Sequence, residues 1–353
     1  MKTYELTIRP GGGFGTPLKG DTLFGHVCWQ AAQDPGLLGK PLAELLGDYH
    51  EQPFLIVSSA IPVLPGPRNG RSLVLRRPFG LKDREEGQAI TDSREFRTMI
   101  KNRKTLKKQV WMLVDEDHPV RARPPEELLS EAMVVERVLD TLGPDDPFRH
   151  TARRRGTGSF TLESGHPRNA INRWTGTTGA EPFTPFLQPE TRYLPGLRLS
   201  VIVGVREDLR ESSVRAAFER IGAVGFGRDA STGLGRFTVE DCRPVDLGRL
   251  GDPGGGGRLT LGPCLPRPQE AERVSFTPFV RFGRHGGQRA LTAQPFKNPI
   301  LLAEEGAVFV AKGGPGGKGE RPWLGQAFTG LSRFTDTVGQ GYSLFIPVQI
   351  GGH

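Results

Sequence analysis

The chain has 353 residues, of which 36% are hydrophobic and 24% charged, and 47 Lys+Arg against 39 Asp+Glu leave a net charge of +8. That length exceeds one ordinary core, and 48 glycines with 30 prolines exclude a helical bundle in favour of short strands and many turns. The basic balance favours a polyanion as partner, and no apolar run approaches the roughly 20 residues of a membrane span.

From the N-terminus, residues 3–9 alternate in period two as a first strand does, and do not read as a signal peptide. Gly11 to Gly15 form a loop. Asp21 or Thr22 is placed to cap a helix with Leu23, Phe24, Val27, Cys28 and Ala31 on one face. Phe54 to Ile61 reads as a second strand. Leu197 to Val205 alternates as a third, Ser212 or Ser213 opens a second helix carrying Val214, Ala217, Phe218 and Ile221, and Arg236 to Asp241 is a fourth strand. Strand, helix, strand, strand, helix, strand is the ferredoxin-like or RRM-like order, with an insertion at about 65–195 between the second and third strands. The expected class is therefore α+β, with residues 1–250 as a first domain.

The insertion is strongly basic. Arg97, Lys101, Lys104 and Lys108 fall at i, i+4, i+7 and i+11 of a helix starting at Asp92 or Ser93, which puts four cations on one stripe. Such a stripe is either a polyanion contact or a solvated helix face; Arg94, Arg103 and Lys107 tilt it towards the first. Arg149 to Arg155 holds a second cluster, read as a mobile loop that serves equally as a nucleic-acid arm or as a plain connection. Beyond the Asp252-Pro253-Gly254 to Gly257 linker, five strand-like pieces make residues 256–353 a second, mostly β domain, with Glu304-Glu305-Gly306 as a hairpin turn.

Three segments are candidates for binding. Gly225 to Phe237 carries four glycines, Gly225, Gly227, Gly233 and Gly235, and two arginines, Arg228 and Arg236. Glycine permits φ > 0 and close backbone approach, and arginine suits phosphate. The loop follows a helix and precedes a strand, so it is neither a Walker A motif nor a dinucleotide fingerprint. Lys19 stands beside the free N–H groups at the start of the first helix, a plausible anion site. In the segment Asn169 to Thr178, Arg173 suits phosphate and Trp174 is either a base-stacking group or a core anchor. Cys28, Cys242 and Cys264 are too far apart for a zinc cluster and fit a reducing cytoplasm, and none of the seven histidines forms a metal motif. No cofactor is expected. Asp21 and Asp229 are caps or arginine partners as readily as acid–base groups.

Lys19 to Trp29 resembles the N-terminal signature of the CRISPR-associated RAMP superfamily, with Gly20 where serine is common. Arg168 to Thr177 resembles an internal segment of that superfamily, and Gly225 to Phe237 its glycine-rich loop. The ending Val338 to Val348 is similar to that of the type III-A Csm fourth subunits of the Cas-five group. The resemblance implies two RRM-like domains and a non-catalytic role. Such a subunit holds the 5′ repeat-derived handle of crRNA at one end of a type III antiviral effector, and joins a Cas-ten-like large subunit to backbone RAMP subunits. Carried onto this sequence, the RNA-binding residues are Lys19, Arg173, Trp174, Arg228 and Arg236, with the four loop glycines as shape. The basic insertion is expected to be a thumb-like element along crRNA or target RNA. The alternative is a Cas-six-like endoribonuclease of precursor crRNA, for which His26 is the general acid–base candidate.

Overall fold

A computed structural model describes residues 1–67, 70–78, 108–120, 128–179, 181–312 and 321–349. Its first half is built on one long antiparallel sheet. Strand β1 (Lys2–Pro10) pairs with β9 (Arg198–Val205) on one side and β10 (Phe237–Pro244) on the other. On the far side of β9 lie β2 (Leu55–Val57) and β3 (Ile61–Pro65). The four expected strands thus stand in the order fourth, first, third, second. Helices α1 (Gly20–Gln33) and α5 (Glu211–Val224) pack on each other, and a short α2 (Leu42–Gly47) follows α1. Leu6 and Ile8 of β1 join Leu23, Phe24 and Val27 of α1 and Phe218 and Ile221 of α5 in one buried cluster, as the two apolar periods require.

The expected strand over Phe54–Ile61 is split at Ser58–Ala60. Each of these three amides bonds in a different direction: Ser58 to Ile202 O, Ser59 to Leu261 O and Ala60 to Leu18 O. Buried Gln340 closes the edge of β2, accepting from Val57 N–H and donating to Val57 O at 2.9 and 2.8 Å. The cap of α1 also differs from expectation. The helix begins at Gly20, with Lys19 as N-cap and no capping side chain. A Cβ on Gly20 would lie 2.1 Å from Val57 O, so only glycine lets α1 start this close to β2.

The insertion extends the sheet. β4 (Arg71–Arg76), β5 (Gln109–Val114) and β6 (Leu129–Ser130) add in sequence beyond β3. Helices α3 (Glu131–Asp140) and α4 (Pro147–Arg155) follow, then a hairpin of β7 (Thr161–Arg168) and β8 (Phe186–Tyr193). The Arg149–Arg155 cluster is therefore helix, not loop. Asp146 accepts from the N–H groups of Phe148 and Arg149, Pro147 occupies the first turn, and Gly156 closes the end at φ +64°. Arg149 and Arg153 face Asp140 and Glu136 of α3, so two of its cations are already neutralised. Of the expected basic stripe, Arg97, Lys101 and Lys104 lie outside the described residues; Lys108 is an exposed turn residue just before β5.

The C-terminal part is mostly β, as expected. β11 (Gly257–Thr260), β12 (Ala271–Ser275), β15 (Val308–Ala311) and β18 (Phe345–Val348) form a sheet in the order β12-β15-β11-β18. A ribbon of β13 (Pro278–Arg281) and β14 (Ile300–Ala303) and the short pair β16 (Leu324–Gly325) and β17 (Tyr342–Ser343) complete it. Glu304–Gly306 does not close a hairpin, because β14 pairs with β13 whereas β15 pairs with β11 and β12. The glycine run after Asp252 is seated on β18, with Asp252 N–H donating to Pro347 O at 2.8 Å. The core does not divide there: Leu259, Tyr342 and Ile346 belong to the same buried cluster as Leu6 and Phe24.

Ion pairs complete this joint. Arg281 of β13 holds Asp21 of α1 through Nε and Nη2 at 2.5 and 2.7 Å, and Asp21 is only 6% exposed. Removing one partner of a buried pair strands the other's charge. Arg281→Ala is expected to cost about 3 kcal/mol of stability, read as a lower urea midpoint. Asp21→Asn with Arg281→Met is expected to recover most of it.

Candidate nucleic-acid interface

The glycine-rich segment leaves α5 at Gly225 and turns back into β10. Gly225, Gly227, Gly233 and Gly235 all have φ between +74° and +115°, and Asp229 is left-handed at +62°. At three of them the need for glycine is also steric, and at Gly225 a Cβ would lie 2.5 Å from Leu234 O. A Cβ at Gly235 would lie 2.1 Å from Phe226 O, and one at Gly227 would lie 2.5 Å from Thr16 Cβ. Gly233 is exposed with nothing near it, so there only the backbone angle asks for glycine.

This loop and the loop between β1 and α1 share one edge. Gly11 N–H donates to Arg236 O, Gly235 N–H to Gly13 O, both at 2.8 Å, and Arg228 N–H to Thr16 Oγ1 at 2.9 Å. His26 of α1 secures the loop from below: its Nε2 accepts from Gly227 N–H at 3.1 Å, and its ring packs on Phe226 at 4.7 Å. An accepting Nε2 fixes the neutral ring with its proton on Nδ1. Burial pushes the His26 pKa down to about 4.

The arginines point outward. Arg228 is exposed; its Nη2 donates to Pro189 O of β8 at 2.6 Å and its Nε meets Asp229 at 3.2 Å. Arg236 is exposed and donates to Ala223 O at the end of α5. Both guanidiniums keep donors free for an incoming anion. Lys19 is placed differently. Its ammonium meets Glu304 at 2.9 Å and Glu305 at 2.8 Å, and lies 4.6 Å from the centre of the Phe279 ring. The anion it was expected to hold is internal, and Lys19 ties α1 to the C-terminal strands.

The β7–β8 hairpin rises from the same edge. Phe14 pairs with Thr191 by two backbone bonds at its base. Eight residue pairs, from Thr161↔Tyr193 to Arg168↔Phe186, carry it outward over about 25 Å. At its tip Asn172 Oδ1 accepts from Trp174 N–H, and Gly176 N–H returns to Asn172 O, a turn that holds Trp174 in the open. Trp174 is 97% exposed, so it is not a core anchor. Arg173 is exposed beside it, and Ile171, Phe186 and Leu187 are exposed near it.

Sequence reasoning missed the cluster at the hairpin's base. Glu190, 1% exposed at its side chain, accepts from Ser164 at 3.0 Å and pairs with Arg192 and His166. Burial alone would raise its pKa, but Arg192, Ser164 and His166 outweigh that and hold it below the usual carboxylate range. The two strands, TLESGHPR and FLQPETRY, carry no apolar alternation, and Pro167 and Pro189 read against a strand. Among the described residues no three His, Cys, Asp or Glu side chains gather as a metal site, and no helix is long and apolar enough to cross a membrane.

The arrangement is an antiparallel sheet backed by two helices, with a glycine-rich loop at one edge and a projecting hairpin. No family model matches the sequence, and no curated protein matches it. Among solved structures, the fold is similar to the Csm4 chain of a Csm1–Csm4 cassette in complex with AMPPNP, with a TM-score of 0.54, 15% identity and all of both chains covered. The same cassette with pppApA gives 0.51 at 15% identity, and with cA3 0.51 at 16%, each over all of both chains. The chain therefore has a fold similar to that of Csm4 chains.

His26 has a consequence for stability. Its pKa is lower folded than unfolded, so the unfolded chain binds more protons between pH 4 and 6.5. Its contribution is complete above pH 6.5 and is lost as the pH falls towards 4. The wild type is expected to lose unfolding free energy across this window, and His26→Gln, which keeps an acceptor but does not titrate, to lose much less in the same urea titrations.

Proposed function

We propose that this chain is the non-catalytic subunit of a type III CRISPR effector that holds the 5′ repeat-derived handle of crRNA and joins a Cas-ten-like large subunit to the backbone RAMP subunits. The observation that carries the reading is the shared edge of two glycine-rich loops, with Arg228 and Arg236 exposed on it and Trp174 displayed on the hairpin above. The loop's own N–H groups are largely bonded within the fold, so the exposed guanidiniums are what suit phosphate, and an unpacked indole suits a splayed base. The solved chains of similar fold are crystallised as a cassette with Csm1, which supports a protein partner here. In this reading the hairpin is the thumb along crRNA or target RNA. Residues 1–250 form the ferredoxin-like part; residues 256–353, expected to be a second such domain, show strands and no α-helix among the described residues and share its core. The complex is cytoplasmic in this reading.

The processing-endoribonuclease reading needs His26 as its acid–base group. A ring whose Nε2 holds a backbone N–H, and whose pKa is about 4, is poorly suited to that work. This favours the scaffold. The glycine loop would act without transferring a proton, by neutralising phosphates and excluding water between RNA and sheet edge.

Arg228→Ala with Arg236→Ala is expected to weaken binding of a synthetic crRNA handle and to lower the slope of log affinity against log salt by about 1.4, since each phosphate contact on a single strand is worth about 0.7. Trp174→Ala is expected to cost about 1–3 kcal/mol of binding with the slope unchanged. Filter binding at several salt concentrations reads both, with circular dichroism to confirm folding. Unchanged affinity in the arginine variant would remove the loop from the RNA site.

A further inference from the structure

Of the large apolar side chains exposed among the described residues, one group lies on the hairpin tip and another far from it in sequence: Val280, Phe282, Leu291, Phe296 and Leu301, exposed by 47% to 86%. Four of them share one face of the β13–β14 ribbon. Val280 stands opposite Leu301 in the register. The ribbon continues through Lys297 N–H to Gly283 O at 2.8 Å and an Arg284↔Phe296 bridge, with a one-residue slip before Ile300; alternation puts Val280, Phe282 and Arg284 on one side, and their pairing and shared exposure put Leu301 and Phe296 there with them. The other side is seated on α1, through Arg281 on Asp21 and through Gly286 and Gly287 against the Trp29 ring. The outer face is thus an anchored apolar platform.

The charge of this segment indicates what covers it. Residues 276–303 contain four cations, Arg281, Arg284, Arg289 and Lys297, and no Asp or Glu. Arg281 and Arg289 are committed to Asp21 and Asp336. Arg284 is exposed on the platform, 5.7 Å from the centre of the Phe296 ring, and meets no carboxylate within ion-pair distance among the described residues. A second copy of this chain would set Arg284 against Arg284 with no acid between them. RNA would need several unpaired cations, and this face offers one. A protein surface of apolar side chains around a carboxylate satisfies both the platform and its arginine.

We propose that the outer face of the β13–β14 ribbon, centred on Phe282 and Phe296, is where the large protein partner of the complex docks, with an acidic side chain of that partner on Arg284. This rests on the reading of the chain as an effector subunit, and adds to it a protein interface separate from the RNA edge.

The test uses the tagged full chain purified from its native host, with co-purifying protein and RNA measured separately. Phe282→Asp with Phe296→Asp is expected to reduce the large protein by at least about tenfold, as removal of central anchors does, while the short RNA stays bound. Arg284→Glu is the milder variant should the double one fail to fold, and is expected to act in the same direction. A benzoylphenylalanine photo-crosslinker at position 282 is expected to join that same protein, at a peptide with apolar residues and an Asp or Glu. Crosslinking to RNA or to a second copy, or undiminished partner in the variants, would overturn the docking face while leaving the effector reading intact. A wild-type chain that brings down neither RNA nor protein would overturn the effector reading itself.

Discussion

A carboxylate that is 6% exposed, gripped by two guanidinium nitrogens from a strand 260 residues away, sets the position of everything around helix α1. A charge so far from water is tolerable only when paired, so once Asp21 is buried here Arg281 must stay on it. Lys19, two residues earlier, repeats the arrangement with Glu304 and Glu305. These pairs fasten the first turn of α1 to the C-terminal strands. About one turn further on, the same helix offers His26 to the glycine-rich loop. α1 is therefore the common support of the proposed RNA edge and of the ribbon proposed to dock protein.

The glycine-rich loop owes its shape to contacts as well as to freedom. Gly227 and Gly235 are required because Thr16 and Phe226 already occupy the space a side chain would take. The backbone is thereby stitched to the β1–α1 loop, and its arginines are carried outward. Their anchoring carbonyls, Pro189 O and Ala223 O, belong to the hairpin and to α5, so the charges of the edge are oriented by two neighbouring elements. A surface pre-organised in this way gives up little side-chain entropy when an anion arrives.

Much of the first half was legible in the sequence because the relevant signals are periodic. β1, β9, α1 and α5 follow their apolar repeats, and the helix–glycine loop–strand order of the segment that carries Arg228 and Arg236 could be read locally, although the edge it shares with the β1–α1 loop could not. What failed is what depends on distant partners. Lys19 reads as a free cation until Glu304 and Glu305 are brought to it. Asp21 reads as a cap until Arg281 takes it. The strand at 54–61 breaks because Ser58–Ala60 serve three neighbours, which no local pattern encodes. Arg149–Arg155 looked like a loop for its charge, although Asp146, Pro147 and Gly156 are ordinary helix boundaries. The β7–β8 hairpin escaped because both its faces meet solvent over most of its length, leaving no alternation to find, while Trp174 at its tip was marked by residue type alone.

The central claim is that this edge holds one defined end of a guide RNA. The direct measurement is to purify the tagged chain from its native host and sequence the RNA bound to it. The account predicts short RNAs that share one 5′ sequence and differ beyond it. RNAs with no common end, or a chain that carries no RNA, would contradict it.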